Sequence, residues 1–288
     1  MLNVWQDLVI RKADPDDQAA LIQLLQKKSF IHRHLGWESP LAWLNEEPFY
    51  ILDSKHGIVA ALAFPPDEDQ ITWLRLFAVR SGYPTAEAWK DLWPTAISWM
   101  ESYHPGFLIN SLVMNSEMEK ILNGAGFVEV FQVVVLVWDI ARAIWPDTDP
   151  DLIVRDMLPD DFQRVYDIDL SAFDLIWRNS MSQLRAAYQE AFSARVIDWN
   201  GKVVAYQIST TNPQGGHLAR LAVDPENQNQ GIATKLVEDL LETFQNQGIV
   251  EVTVNTQSIN SVSLDLYHKF GFFRLDETYP VMQYKTGS

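Results

Sequence analysis

The stretch VDPENQNQGIATKLVEDLLETF (residues 223–244) changes at Gly231 from a polar, proline-containing loop to a helical pattern. After this glycine, apolar residues recur at helical spacing and predict one buried face, formed by Ile232, Leu236, Val237, Leu240, Leu241 and Phe244. The preceding residues, GHLARLAV, have the composition of a strand. Strand, loop and helix in this order give an anion-binding layout, because the first amides of a helix lack internal partners and carry partial positive charge.

The loop itself contains residue types that suit a phosphate group. Gly231 lets a ligand approach the main chain, and Ala233 has almost no side chain to obstruct it. Gln228 is placed to cap the loop or to donate to the same anion. A plain connecting loop with a helix-starting glycine is the alternative interpretation, because an isolated Q-x-x-G-x-A pattern has little specificity.

The chain contains the same pattern twice. VIRKADPDDQAALIQLL (9–25) and IVRDMLPDDFQRVYDID (153–169) match at an arginine and at a Pro-Asp-Asp triplet, with an offset of 144 residues. GAGFVEVFQVVVLVWD (124–139) and KFGFFRLDETYPVMQY (269–284) match again, with an offset of 145 between their glycines. Each copy also has a hairpin candidate, at 49–64 and 194–209, the second with Asn200-Gly201 suited to a tight primed turn.

The repeat predicts two domains of about 144 residues each, 1–146 and 147–288, both of mixed α/β class. The proline- and aspartate-rich stretch ARAIWPDTDP (141–150) is the expected linker. Strands and helices alternate along each copy, so each domain is expected to contain a mixed sheet.

The composition narrows the classes of protein and of chemistry. The chain has 288 residues, a formal net charge of −16 and no cysteine, which excludes disulfides, thiolate metal sites and cysteine catalysis. The acidic balance argues against nucleic acid as a partner, and no apolar run approaches the roughly 18 residues of a membrane helix. The first residues, MLNVWQDLVI, lack a basic region and a small-residue cleavage site, so a soluble, cytoplasmic protein is expected.

A second motif follows the loop and makes the pattern specific. The order V-x-P-x-x-Q-x-x-G-x-A, amphipathic helix, strand, then N-x-x-x-x-x-L-Y-x-x-x-G-F resembles the GNAT superfamily of acyl-CoA-dependent N-acetyltransferases, and the resemblance covers residues 152–285. It implies two tandem GNAT-like domains, each a mixed, mostly antiparallel twisted sheet flanked by helices. It also implies acetyl-CoA as the co-substrate and an amine as the acceptor.

The resemblance assigns roles to particular residues. Tyr267 corresponds to the family tyrosine that protonates the departing thiolate, and Asn260 to the asparagine that contacts the pantetheine or its phosphate side. The strand that pairs with the pantetheine arm implicates Leu221, Ala222 and Val223. The loop that holds the pyrophosphate corresponds to Asn229, Gln230, Gly231, Ile232, Ala233 and Thr234, with Gln228 beside it.

The general base is not assigned by the sequence. Many relatives have a glutamate on the fifth strand, whereas this chain has Asn255, which cannot accept a proton. His217 and Glu190 are the candidates that remain, with surface solvation as the alternative for each. Three apolar residues of the helical region are expected either to line the acceptor pocket or to belong to the core: Trp177, Met181 and Tyr188.

The first copy lacks these features. Its equivalent of the loop, LFAVRSGYPTAEAWKDLW (76–93), has Pro84 and no Q-x-x-G-x-A pattern, and Ile121 and Leu122 stand where Tyr267 would correspond. We therefore expect a degenerate domain without coenzyme A. His32 and His34 have no third ligand at a recognisable spacing, so no metal site is expected.

The expected function is direct transfer of an acetyl group from acetyl-CoA to an amine of a small molecule or peptide, with both substrates bound together. A non-catalytic acyl-CoA-binding sensor or scaffold is the rival hypothesis, because Asn255 replaces an acid and the first copy is degenerate. Transfer of another acyl group is a third possibility. The oligomeric state is left open by the sequence.

Overall fold

The computed structural model describes residues 5, 7–26, 29–34, 36–67, 70–199 and 201–287. The chain forms two compact units, a first unit of Met1–Val130 with Pro280–Ser288 and a second unit of Phe131–Tyr279. The repeat placed the boundary at residue 146, whereas the compact units divide after Val130 and the C-terminal residues belong to the first unit. The extent of the two sequence copies stays a prediction.

The elements of the first copy follow in chain order. They are β1 (Val9–Lys12), α1 (Gln18–Gln26), β2 (Phe30–Arg33), β3 (Phe49–Asp53), β4 (Ala60–Ala63), β5 (Ile71–Trp73), β6 (Leu76–Val79), α2 (Thr85–Tyr103), β7 (Leu108–Leu112), α3 (Ser116–Gly124) and β8 (Val128–Asp139). In the first unit, the described strands pair in the order β1-β3-β4-β6-β2, and β5 pairs in parallel with β7.

The elements of the second copy follow a similar order, with three differences. They are β9 (Ile153–Asp156), α4 (Phe162–Ala172), α5 (Met181–Gln189), β10 (Ser193–Trp199), β11 (Lys202–Asn212), β12 (Gly215–Val223), α6 (Ile232–Asn246), β13 (Glu251–Gln257), α7 (Ser261–Lys269) and β14 (Phe273–Lys285). At the position of β2 the second copy has a short 3₁₀ turn, Leu175–Trp177. Helix α5 corresponds to a 3₁₀ turn in the first copy, Pro40–Trp43, and the single strand β12 spans the positions of β5 and β6. In the second unit the strand order is β9-β10-β11-β12-β13-β8, and among these strands, as far as the structure describes them, only the β12–β13 pair is parallel.

Most of β8 and the C-terminal part of β14 belong to the unit built mainly from the other copy. β13 pairs antiparallel with β8 along residues 133–139, and residues 281–285 of β14 pair antiparallel with β7. This exchange moves the unit boundary away from the sequence repeat. The sequence could not show it, because a strand's pattern of buried residues does not identify the strand that it pairs with.

The two matched arginines and aspartates have the same structural role in each copy. Arg155 donates through both terminal nitrogens to the carboxylate of Asp161, at 2.7 and 2.9 Å. Arg11 donates in the same way to Asp17, at 2.7 Å for both bonds. Each aspartate also accepts a main-chain N–H three residues earlier, which begins the helical segment. The repeated motif therefore joins a strand to the start of a helix in both copies.

Replacing Asp161 with asparagine is expected to lower the free energy of unfolding by about 1–3 kcal/mol at neutral pH, because a charge-assisted pair of bonds is lost. The hydrogen bond from Arg155 lowers the pKa of Asp161 although burial opposes this shift. The stabilisation is therefore complete at neutral pH and is lost as the pH falls below about 4. Urea unfolding of both proteins at neutral pH and near pH 3 measures it, and an equal difference at both pH values would contradict the ion pair.

The predicted helix face and hairpins are confirmed. All six apolar residues predicted for the face of α6 are buried, and β3–β4 and β10–β11 form antiparallel hairpins. Asn200 of the predicted turn lies outside the described residues. Within the described ranges, no helix combines the length and apolarity that a membrane crossing requires.

Candidate functional site

In the second unit, β12 and β13 pair over a few residues and then separate. We call this arrangement the fork, and its closed end is the point where the strands separate. The parallel ladder joins only residues 216–218 to residues 252–254, whereas β12 continues to Val223 and, except at Ala219, is paired with β11 along its length. Opposite Ser209 and Ile208 the register jumps from Leu218 to Arg220, so Ala219 is a bulge at the closed end of the fork. Beyond the bulge, no described strand pairs with β12 on its β13 side, which leaves an open strand edge beside 219–223.

The open edge continues directly into a stabilised turn. The carboxylate of Asp224 accepts the Glu226 N–H at 3.2 Å and is paired with Arg164. Burial by itself would raise the pKa of Asp224. The hydrogen bonds from Arg164 and from the Glu226 N–H, together with the nearby positive charges, outweigh burial and lower this pKa. Gln228 donates from Nε2 to the carbonyl of Val223 at 3.2 Å, which closes the loop onto the end of β12. Of the two roles predicted for Gln228, the structure therefore shows the capping one.

Helix α6 begins without a side-chain cap. Its first residue follows Gly231, which has a φ of 79°, and its first turn contains no acidic residue. Lys235 is the first helical residue whose N–H bonds back to the Gly231 carbonyl, at 3.0 Å. A Cβ added at Gly231 would meet no atom within 4 Å, so the space beside this residue is open. Uncapped amides, partial positive charge and open space together fit a phosphate group.

Tyr267 belongs to the apolar core beside the fork. It belongs to the same apolar cluster as Leu218 and Val254, the last hydrogen-bonded pair before the strands separate. Its ring is 5% exposed and packs against Phe272, with centroids 5.4 Å apart. Burial raises the pKa of Tyr267, so the phenol keeps its proton at neutral pH. Asn260 caps α7, because its side chain accepts the Ser263 N–H at 3.1 Å.

A buried ionic network, which the sequence reasoning missed, lies on the helix α4 side of β12. The carboxylate of Asp169 is 0% exposed and accepts from Arg220 Nε at 2.8 Å. It also accepts the hydroxyl of Tyr206 and the N–H of Asn179, the latter at 2.8 Å. Each oxygen of the buried carboxylate is therefore bonded, as a charge in the interior requires.

Arg220 also fixes the segment between α4 and α5. Its Nη2 donates to the Trp177 carbonyl at 2.6 Å, and its guanidinium lies 3.5 Å from the ring centroid of Phe173. This segment contains the 3₁₀ turn that replaces β2 in the second copy. One residue of β12 thus holds residues 173–179 beside the closed end of the fork.

The other sequence candidates lie at different distances from this arrangement. Trp177 is half-buried in the fixed segment, and Met181 is the half-buried first residue of α5. Tyr188 is half-buried and donates to the Met157 carbonyl at 3.3 Å, which is a packing role. Glu190 is the exposed C-cap of α5. His217 bonds through Nδ1 to the hydroxyl of Thr253 at 2.8 Å, inside the ladder of the fork.

The corresponding region of the first unit is blocked by the chain itself. β2 pairs antiparallel with the whole of β6, on the side opposite β4, and β6 occupies the chain position equivalent to the open edge. His32 of β2 bonds through Nε2 to the hydroxyl of Ser111 in β7 at 2.9 Å. Strand β2 therefore lies beside both β6 and β7. Helix α2 follows Pro84, which has no N–H, and has Glu87 in its first turn. In the first copy, the positions equivalent to Asp169, Tyr206 and Arg220 lie 144 residues earlier. They hold Leu25, Leu62 and Leu76.

Comparisons with known proteins agree with this geometry. A solved structure described as a tandem GNAT protein from the clavulanic acid biosynthesis pathway, without AcCoA, aligns with a TM-score of 0.64 at 13% identity, over 98% of this chain and 99% of that one. The chain therefore has the fold of a tandem GNAT protein. Residues 162–272 match the family model of the Acetyltransferase (GNAT) family.

Two curated relatives match shorter segments. N-alpha-acetyltransferase 30 of Schizosaccharomyces pombe is 36% identical over 64 residues, 22% of this chain and 43% of the relative. The ribosomal protein bS18-alanine N-acetyltransferase of Escherichia coli K12 is 30% identical over 73 residues, 25% of this chain and 49% of the relative. The chain thus spans about half the length of these curated relatives.

Proposed function

We propose that this protein is an acetyl-CoA-dependent N-acetyltransferase with one coenzyme site, in the second unit. The open edge of β12, which leads into the uncapped start of α6, is the observation that carries the proposal. An extended pantetheine arm would add to residues 221–223 as a further strand adds to a sheet edge. The diphosphate would accept hydrogen bonds from the main chain of 229–234, with Asn260 near the arm.

The acceptor enters, in this proposal, from the side of the segment held by Arg220. The amine nitrogen attacks the thioester carbonyl, the carbon–nitrogen bond forms, and the carbon–sulfur bond breaks. A main-chain N–H near Leu221 or Ala222 stabilises the negative charge on the carbonyl oxygen, and Tyr267 gives its proton to the departing sulfur. The products are an amide and coenzyme A, and the proton lost by the amine must reach a base or solvent.

The acceptor class is proposed from the relatives. The printed name of one relative specifies an N-alpha position, and that of the other specifies the alanine of a ribosomal protein. We therefore place a peptide amino terminus first among acceptors and a small-molecule amine second. A cytoplasmic location, predicted from the sequence, accords with a protein substrate of this kind.

Release of free thiol from acetyl-CoA over a panel of peptide and small-molecule amines tests the function. We expect turnover with at least one amine and stoichiometric formation of the acetylated product, identified by mass spectrometry. Tight binding of acetyl-CoA without turnover on any amine would instead support the sensor hypothesis. Faster turnover with a longer acyl-CoA than with acetyl-CoA would indicate that the protein transfers another acyl group.

A further inference from the structure

We propose that His217 is the general base of the reaction, held by Thr253 in the tautomer whose Nε2 accepts a proton. This inference rests on the proposed acetyl transfer and supplies the group that the sequence left unassigned. Asn255 occupies the place where an acid was expected and cannot accept a proton. The imidazole lies one residue before the last hydrogen-bonded pair of the fork.

The tautomer follows from a chain of two hydrogen bonds. The hydroxyl of Thr253 donates to the main-chain carbonyl of Gly216 at 3.3 Å, and a carbonyl can only accept. The single proton of this hydroxyl is therefore committed, so its oxygen must accept from Nδ1–H of His217, 2.8 Å away. A neutral imidazole with its proton on Nδ1 has a free lone pair on Nε2.

The position of His217 relative to Tyr267 fits the two proton transfers. Leu218 and Val254 lie in one apolar cluster with Tyr267. Because successive side chains of a strand point to opposite faces, His217 and Thr253 point to the other face of the sheet. Acid and base therefore flank the closed end of the fork from opposite faces.

The proposed acyl arm reaches this point. Residues 219–223 span about 13 Å at ~3.3 Å per residue, from the turn that precedes α6 back to the bulge. An arm bound along this edge, with its diphosphate at the helix, directs its reacting end towards the bulge and His217. Arg220 holds the proposed acceptor segment to Asp169 of α4. The amine and the imidazole thus lie on the same face of the sheet.

The charges around the imidazole leave it neutral. Burial lowers the pKa of His217, and a hydrogen bond with the main chain of Thr253 opposes the shift. Several charged groups of the neighbouring elements are paired elsewhere: Asp169 with Arg220, Arg164 with Asp224, Lys235 with Glu238, and Asp239 near Arg195. On β13 and β8, Glu251 is exposed and Asp139 accepts the Ala141 N–H. A neutral imidazole at pH 7 is able to accept a proton.

The base acts when the amine attacks. As the carbon–nitrogen bond forms, Nε2 of His217 takes one proton from the amine nitrogen, while the sulfur takes the phenolic proton of Tyr267. Solvent then removes the proton from the imidazolium and restores that of the phenol. The sum is one amine and one thioester converted to one amide and one thiol.

A measurement without turnover tests the tautomer. Nitrogen NMR of the ¹⁵N-imidazole-labelled protein at neutral pH is expected to show His217 with Nδ1 protonated and Nε2 free. Thr253→Val is expected to mix the two tautomers, whereas Thr253→Ser keeps the hydroxyl and the single tautomer. A proton on Nε2 in the wild-type protein would overturn the proposal.

Kinetics test the catalytic role with the best peptide amine. We expect His217→Gln to lower kcat by about 10²- to 10⁴-fold with unchanged acetyl-CoA affinity, and added imidazole to restore part of the activity of His217→Ala. We expect Thr253→Val to lower kcat about tenfold, which corresponds to about 1.4 kcal/mol in the activation free energy. Thr253→Ser should have a kcat close to that of the wild-type protein. Circular dichroism and coenzyme binding verify that each variant is folded.

The outcomes separate the two proposals. Turnover that persists in His217→Gln with an unchanged pH profile would remove His217 as the base and leave acetyl transfer intact. Absence of turnover by the wild-type protein on every amine would overturn both. Loss of activity in His217→Gln together with loss of acetyl-CoA binding would assign His217 a structural role instead.

Discussion

Gly231→Glu is expected to abolish acetyl-CoA binding, with a loss of affinity of at least about 10²-fold in isothermal titration calorimetry. The added Cβ points into space that no protein atom occupies within 4 Å, so the carboxylate would lie where the diphosphate is proposed to bind. Two anions at one site repel each other by several kcal/mol, and each 1.4 kcal/mol is a factor of ten. The carboxylate would also accept hydrogen bonds from the main-chain N–H groups at the start of α6, which the diphosphate is proposed to use.

Gly82→Glu is the matched control for this substitution. Gly82 follows β6 in the first copy and has a φ of +92°, close to the +79° of Gly231, so both variants carry a similar backbone strain of about 1–2 kcal/mol. Its added Cβ would meet Trp5 at 3.8 Å, an ordinary contact. We expect a similar loss of stability in both variants and a loss of coenzyme binding only at Gly231. Equal loss of binding would refute a single working site.

Tyr267→Phe is expected to lower kcat by about 10²- to 10³-fold and to leave the Kd of acetyl-CoA nearly unchanged. Phenylalanine keeps the ring that packs against Phe272 in the apolar cluster. Only the proton donor is removed, so the leaving thiolate must be protonated by water. Steady-state kinetics and calorimetry on the same preparation separate the two quantities.

Tyr83→Phe provides the control for loss of a hydroxyl. Tyr83 lies in the first unit, where its hydroxyl donates to Asp91 at 2.7 Å. Its replacement should alter stability slightly and leave kcat unchanged. An unchanged kcat in Tyr267→Phe would instead contradict the assignment of Tyr267 as the proton donor and leave it a packing role only.

The sequence located the loop and the tyrosine because both are short-range patterns. The residues around Gly231 lie within one strand–loop–helix segment, and Tyr267 stands at a fixed spacing from Asn260 and Gly271. The structure places these segments at the same fork. Their binding and catalytic roles stay predictions, which the substitutions above test.

The ionic network was missed because its members are distant along the chain. Asp169 and Arg220 are separated by 51 residues, and Asp169 and Tyr206 by 37. An aspartate in an amphipathic helix and an arginine in a strand are typical of exposed positions when taken singly. A signal was present, however, because all three positions are leucine in the first copy. A polar set that replaces an apolar set in one copy of a repeat indicates a buried polar site.

The sequence by itself determined the α/β class, the repeat and the helix that starts at Gly231, because periodicity, turn residues and caps act over a few residues. Only the tertiary structure decided that most of β8 and the C-terminal part of β14 join the other unit, and that β2 covers β6 while the edge of β12 stays open. The physical reason is that a strand edge offers the same main-chain donors and acceptors to any partner. The choice among partners depends on side-chain packing between residues far apart in the sequence.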